Sequence, residues 1–152
     1  MPIDHSAIGR VLDPVITTLE RGRLAFFAQA IGETDPVYFD LTAARAAGHP
    51  DLPVPPTFIF GALLDVPDPF EWIAKLGVDM RFVLHGTEKF SYHRMLHAGD
   101  TVTVQPTITN VYDKRGGSLE FVVTTTTVTT AAGELAVTMD QTLVVRHPEA
   151  AA

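Results

Sequence analysis

The sequence predicts an α+β domain in which helices come first and an antiparallel sheet follows. The first half carries apolar residues at helical spacing, interrupted by glycine and proline, whereas the second half holds long runs of β-branched residues between glycine-bearing connectors. A short apolar segment between the two halves would close one face of the sheet. The 152 residues, 46% of them hydrophobic, are enough for one domain with a core, which we expect to span 1–152.

The first half contains four predicted helices. The first runs over Glu20–Gly32, with apolar residues at helical spacing and a glycine at its end. The second follows Asp40, which would cap its first turn, and stops at Gly48. The third, TFIFGALLDV from Thr57, is apolar on every side and is predicted to be a helix buried all round, with a strand as the alternative. A fourth, short helix should end at Gly77.

The second half contains four predicted strands, which lie in MRFVLHGTEKFSYHRML, TVTVQPTITNVY, SLEFVVTTTTVTT and LAVTMDQTLVVRH. In the last strand, residues of one parity from Leu135 to Val145 are apolar, and only Gln141 breaks the pattern. The alternation slips between Ile108 and Val111, which indicates a bulge, and Pro106 indicates an edge or irregular position.

The threonines of the third strand are interpreted as a solvated or subunit-facing surface; they lie at 124–127, 129 and 130. A long strand edge exposes unpaired backbone groups and usually needs a partner or a cover. We therefore expect the chain to form a dimer.

Composition and charge exclude several classes of protein. The formal net charge of −7 disfavours non-specific binding to nucleic acid or to anionic lipid. The absence of cysteine excludes disulfides and thiolate chemistry. The N-terminal stretch lacks the features of a signal peptide, and no segment reaches the roughly 18–20 uncharged residues that cross a bilayer. We expect a cytoplasmic protein without nucleic-acid or membrane partners.

The stretch IGETDPVYFD concentrates polar groups directly after the first helix. Glu33 and Asp35 could form a carboxylate pair in which one raised pKa creates a general acid or base, with Tyr38 beside them. The same letters also describe an ordinary turn, because Asp35 can bond its own backbone and Pro36 disfavours helix before it. Residue types alone favour the turn.

Basic residues concentrate on and after the first strand. His85 precedes Gly86, which would let a ligand approach the backbone. The cluster of Lys89, His93, Arg94 and His97 is either a site for a phosphorylated ligand or a solvated rim. No histidine pair has the spacing of a zincin, and no nucleotide-binding or nucleophile-elbow motif is present. We therefore expect no metal and no cofactor.

Three segments in order, FFAQAIGETDPVYFD, AARAAGHPDLPVPPTFIF and VLHGTEKFSYHRMLHAGDTVTV, resemble a known family. They are similar to the N-terminal-type MaoC dehydratase group, the FAS1-like dehydratase domain, over about residues 7–146. The resemblance implies a hotdog fold, in which a curved antiparallel sheet wraps a long central helix and two units pair side by side. It also implies a place in the reversible hydration of trans-2-enoyl thioesters of coenzyme A or acyl carrier protein.

The catalytic pattern of that family is altered here. The resemblance places Glu33, Asp35 and Tyr38 where active members have Asp, Asn and the general-base His. The longer Glu side chain would misplace the carboxylate by about an ångström. A phenol, whose pKa lies near 10, is a poor base at neutral pH.

A second departure concerns the start of the central helix. Active members have His-Gly there, and the glycine N–H polarises the thioester carbonyl. Pro55 and Pro56 occupy these positions, and proline has no N–H. The oxyanion donor is therefore missing unless Thr57 or Phe58 supplies it.

The first hypothesis is that the chain is the helper half of a (3R)-hydroxyacyl-thioester dehydratase or enoyl-thioester hydratase, a hydro-lyase that needs a catalytic MaoC-type partner. The residues expected at the shared acyl site are Pro56, Thr57, Phe58, His85, Gly86, Lys89, His93 and Arg94. The alternative is a self-sufficient homodimer in which Glu33 is the base and Tyr38 or His85 protonates the α-carbon. A third hypothesis is an acyl-CoA binding protein without turnover, and a hotdog thioesterase is a weaker fourth.

Overall fold

One antiparallel sheet of five strands forms the body of the protein. The computed structural model of the chain describes residues 2–147. The strands are β1 (Val15–Thr18), β2 (Val83–Tyr92), β3 (Thr101–Lys114), β4 (Leu119–Thr130) and β5 (Leu135–Arg146). They lie in the order β1-β3-β4-β5-β2, so β1 and β2 form the two edges. The predicted α+β class is confirmed.

Three α-helices precede the long strands: α1 (Arg21–Ala30), α2 (Leu41–Ala46) and α3 (Glu71–Lys75). Short 3-10 helices lie at His5–Ala7, Pro36–Tyr38, Phe58–Leu64 and Met80–Phe82. Asp40 caps α2 as predicted, because its carboxylate accepts from the N–H groups of Thr42 and Ala43. Within residues 2–147, no helix has both the length and the apolar character that a membrane crossing requires.

The segment predicted to be a fully buried helix is instead the 3-10 helix Phe58–Leu64, here called the central helix. Phe58, Ile59 and Ala62 are buried, but Leu64 is 45% exposed, so the prediction of burial on every side is wrong. Prolines bound the segment on both sides and Gly61 interrupts it, which leaves too short a run for a stable α-helix. The helix packs one face on the sheet and leaves the other partly open.

The irregularities of β3 fall where the sequence indicates them. The pairing of β3 with β4 shifts between Ile108 and Asn110, which confirms the predicted bulge. Pro106 lies beyond the last pair of the β1–β3 ladder, Val15 with Val104, so its missing N–H disturbs no regular pairing there.

Two expectations about strand faces are wrong. Thr124 and Thr126 are only 3% and 2% exposed, because the inward-outward alternation of β4 continues through the threonine run. Leu135 is 41% exposed and Ala136 is buried in its place. The pairing of β4 with β5 shifts between Val128 and Thr129 and leaves Ala136 out of the register, which reverses the parity at the start of β5.

Candidate functional site

A cavity of about 1100 Å³ lies between the sheet, the central helix and α3. Much of its wall is apolar and includes Phe60, Leu63, Val66, Trp72, Ile73, Val83 and Leu143. Arg10, Asp13, Asp68, Glu71 and Lys75 also line it and bring charges of both signs. Its volume slightly exceeds the range of about 300–1000 Å³ that is usual for small-molecule sites. The cavity therefore suits a ligand with a long apolar part.

His85 is the titratable strand residue that lines this cavity. Its ring stacks on Phe60 with 5.6 Å between centroids, and its Nε2 lies 3.3 Å from Oε2 of Glu88. Burial raises the pKa of Glu88, which the hydrogen bond from His85 opposes and the charge of Asp140 reinforces. The stacking on Phe60 and the contact with Glu88 together orient the imidazole of His85 at the cavity wall.

Gly86 lies at a bulge of β2, where the register with β5 shifts between His85 and Thr87. A Cβ added to Gly86 would lie 2.8 Å from the carbonyl oxygen of Thr142 and 3.0 Å from Cγ2 of Val144. The chain that approaches the backbone of Gly86 is therefore strand β5. This close packing explains the glycine without a ligand.

The carboxylates of the IGETDPVYFD stretch serve as caps. Oε1 of Glu33 accepts from the N–H groups of Thr34 and Asp35 at 2.7 and 3.0 Å. Oδ1 of Asp35 accepts from the Val37 N–H at 3.0 Å and caps the 3-10 helix Pro36–Tyr38. This is the turn arrangement that the residue types favour, and none of these residues lines the cavity.

Tyr38 is held in its neutral form. Burial raises the pKa of its phenol, and the charges of Glu33 and Asp35 raise it further. A phenol with a pKa above its ordinary value near 10 is protonated at neutral pH. Tyr38 therefore cannot accept a proton from water there.

The two candidate oxyanion donors at the start of the central helix, the N–H groups of Thr57 and Phe58, are both engaged in hydrogen bonds. The Thr57 N–H donates to the hydroxyl oxygen of Tyr92 at 2.9 Å, and the Phe58 N–H donates to the Pro55 carbonyl at 3.1 Å. Sequence reasoning missed Tyr92, because no local pattern connects residues that lie 35 positions apart. An oxyanion at this position would find no free N–H from these two residues.

Thr57 adopts a left-handed conformation, with φ 70° and ψ −13°. A β-branched residue is strained in that region, whereas glycine is not. We expect Thr57→Gly to raise the free energy of unfolding by about 1 kcal/mol, after the greater flexibility of glycine in the unfolded chain is subtracted. Urea denaturation measures this change. The exposed helical residue Thr42 is the control, because Thr42→Gly should lower stability, and a lower stability for both variants would contradict the expectation.

The basic residues Lys89, His93, Arg94 and His97 do not form one site, because each lies beside a different residue. Nε2 of His93 lies 3.0 Å from the Thr138 hydroxyl, and Arg94 forms an ion pair with Glu134. Nε2 of His97 lies 3.2 Å from Nδ1 of His49, and burial lowers the pKa of His97. Lys89 is exposed on β2, opposite Asp140 in the register with β5. Within residues 2–147, no group of three or more His, Cys, Asp or Glu side chains is placed to hold a metal ion.

Comparisons with known proteins agree with this architecture. The family described as "FAS1-like, dehydratase domain region" matches residues 6–139. A UPF0336 protein of Streptomyces griseus is 39% identical over 152 residues, which cover 99% of this chain and 100% of that protein. The C-terminally truncated HadBC (3R-hydroxyacyl-ACP dehydratase) complex of Mycobacterium tuberculosis superposes with a TM-score of 0.77 at 24% identity, over 91% of this chain and 96% of that chain.

The ChsH1-ChsH2 complex of the same bacterium superposes with a TM-score of 0.74 at 23% identity, over 95% of this chain and 87% of that chain. The chain thus has the hotdog fold and is a MaoC-like dehydratase domain. It belongs to the FAS1-like dehydratase domain family, and it is also similar to UPF0336 proteins of two Streptomyces species. A short 3-10 central helix replaces the long helix that the resemblance implied.

Proposed function

We propose that the chain is the non-catalytic half of a two-subunit (3R)-hydroxyacyl-thioester dehydratase or enoyl-thioester hydratase. Its partner is a MaoC-type chain that supplies the Asp/His pair. The observation that carries the proposal is the occupation of the Thr57 and Phe58 N–H groups by Tyr92 and Pro55. The two complexes named above, HadBC and ChsH1-ChsH2, support a second hotdog chain as the partner.

The chemistry of hydration explains why these groups matter. Addition of water to an enoyl thioester needs a base that activates water and a donor that stabilises the developing oxyanion. In this chain Glu33 accepts two backbone N–H groups, the raised pKa of Tyr38 leaves it unable to replace the general-base His, and the N–H groups of Thr57 and Phe58 are engaged. Removal of one oxyanion donor alone typically costs about 10²–10³ in rate. These losses favour a helper role over the self-sufficient homodimer.

The cavity supplies what a helper subunit would contribute. Its apolar wall would shelter the acyl chain, and burial of each methylene group is worth about 0.8 kcal/mol. His85, which contacts Glu88 and Phe60, would face the acyl chain from the wall of the cavity. The helper would thus determine which acyl groups the complex accepts, while its partner performs the proton transfers.

The β2 edge is the proposed contact with the partner. Within residues 2–147, β2 pairs with β5 on one side and with no strand on the other. Its ten residues extend about 33 Å, and Leu84 and Tyr92 on it are each 53% exposed. An edge of this length and character fits the addition of a strand from a second hotdog unit.

Purification of the chain alone and with a MaoC-type chain of the same genome that keeps the Asp/His pair tests the proposal. We expect no hydration of crotonyl-CoA or trans-2-decenoyl-CoA by the chain alone, and hydration of both when the two chains are mixed and co-elute. Rapid turnover by the chain alone, lost in Glu33→Gln or Tyr38→Phe, would instead establish the self-sufficient enzyme. Saturable acyl-CoA binding without turnover in any mixture would indicate a binding protein, and thiol release would indicate a thioesterase.

A further inference from the structure

Three uncharged polar side chains, Thr124, Thr126 and Gln141, lie together on the sheet wall of the cavity. We propose that this group, the polar patch, binds an uncharged oxygen substituent, a hydroxyl or keto group, on the acyl chain away from its thioester. The inference rests on the proposed function, because it takes an acyl thioester as the occupant of the cavity. It adds that the preferred acyl group carries oxygen along its length.

The strand register brings the three side chains together. Thr124 of β4 lies directly opposite Gln141 of β5, and Thr126 is two residues further along the same face. The flanking pairs on this face, Val122 with Leu143 and Val128 with Val137, are apolar, and the partner of Thr126 is the apolar Met139. A polar pair thus interrupts a ladder of buried apolar residues beside the cavity. Gln141 is the residue that breaks the apolar parity of β5 in the sequence.

The patch has unused hydrogen-bonding capacity. Within residues 2–147, the side chains of Thr124, Thr126 and Gln141 make no hydrogen bond to the protein, whereas Thr125, on the opposite face, donates to Asp140 at 2.8 Å. No fully enclosed side-chain oxygen or nitrogen of the described residues lacks a partner, so the polar atoms of these three residues keep some exposed area. All three residues line the cavity. These groups are therefore available to hydrogen-bond the oxygen of a ligand that fills the cavity.

The residue types define the ligand chemistry. Threonine hydroxyls and the glutamine amide both donate and accept, so a ligand hydroxyl and a ligand carbonyl each find a complementary partner. None of the three carries the positive charge that would favour a carboxylate or phosphate at this depth. Thr57 and Phe58, the position where the family holds the thioester carbonyl, do not line the cavity. The recognised oxygen therefore belongs to the acyl chain and not to the thioester.

Trp72 lines the cavity and is the only tryptophan of the chain, so its fluorescence reports binding there. The probes are decanoyl-CoA and its isomers with one hydroxyl at each carbon from C5 to C9. We expect Thr124→Val and Gln141→Leu each to weaken binding of at least one hydroxylated isomer by about three- to tenfold. Decanoyl-CoA itself should bind these variants as well as or better than it binds the wild type.

Thr127→Val is the matched control, because Thr127 lies on the same strand with its side chain on the opposite face. It should leave every affinity unchanged. Unchanged affinities of all hydroxylated isomers in the folded double variant Thr124→Val, Gln141→Leu would overturn the polar patch and leave the helper role intact.

Failure of every thioester, substituted or not, to alter Trp72 fluorescence would instead contradict the proposed function. In that case cyclohexanol and methylcyclohexane, two probes of matched size without a thioester, test the patch alone through their shifts in Tm. Loss of the cyclohexanol shift in Thr124→Val, with the methylcyclohexane shift retained, would support the patch. Equal behaviour of both probes in wild type and variant would overturn it.

Discussion

Thr126→Phe should lower the rate at which the two-subunit complex hydrates trans-2-decenoyl-CoA by on the order of a hundredfold, while crotonyl-CoA is hydrated at close to the wild-type rate. Thr126 is buried on the cavity wall, so the larger ring would project into the cavity. A phenyl group displaces roughly four methylene groups, each worth about 0.8 kcal/mol, which corresponds to about two factors of ten. The four-carbon crotonyl group is too short to reach the displaced region. The kcat/KM values of the two substrates, measured with the same preparation, give the ratio.

Thr127→Phe is the control, since the same change one residue along β4 places the ring on the opposite face. It should leave the ratio of the two substrates unchanged. A parallel fall for both substrates in Thr126→Phe would point to impaired folding or assembly. An unaltered ratio in the Thr126 variant would show that the acyl chain does not occupy this cavity.

Features of the fold that depend on neighbouring residues could be predicted from the sequence. The cap by Asp40 requires only the three residues after it, and the bulge at Ile108 requires only a slip in alternation. The four-residue strand β1 was not predicted, because so short a run has no periodicity of its own and gains its place by pairing with β3. Features set by neighbouring residues, such as a helix cap or a bulge, were therefore predictable. A short strand such as β1 was not, because it depends on pairing with a distant strand.

The candidate site also contains some contacts that local sequence predicts and others that it does not. Glu33 and Asp35 cap a turn, which their spacing around Pro36 already favoured. The bond between Thr57 and Tyr92 joins the start of the central helix to the end of β2, and no sequence pattern reports such a contact. The burial of Thr124 was missed because residue type was given more weight than parity. The break at Gln141 was the visible signal that this face is not purely core.

Gly86→Ala should lower the free energy of unfolding by about 2 kcal/mol, which is the cost typical of overpacking at a site that cannot relax freely. The added Cβ would lie 2.8 Å from the Thr142 carbonyl oxygen, a backbone atom of β5, so the strand itself must move. The backbone of Gly86 lies outside the left-handed region, so the cost is one of contact and not of conformation. Urea denaturation at neutral pH measures the change as a lower midpoint at constant slope.

Gly22→Ala provides the opposite case with the same chemical change. Gly22 lies in α1 with no atom within 4 Å of an added Cβ, so alanine there should raise stability by about 0.5–1 kcal/mol. Opposite signs for the two variants would show that Gly86 is needed for close packing of β2 on β5. Equal stability of Gly86→Ala and the wild type would show that β2 shifts to admit the methyl group. A shift of β2 would also move His85 and the proposed partner edge. Co-elution of Gly86→Ala with the MaoC-type partner tests whether the shifted edge still assembles the two-subunit complex.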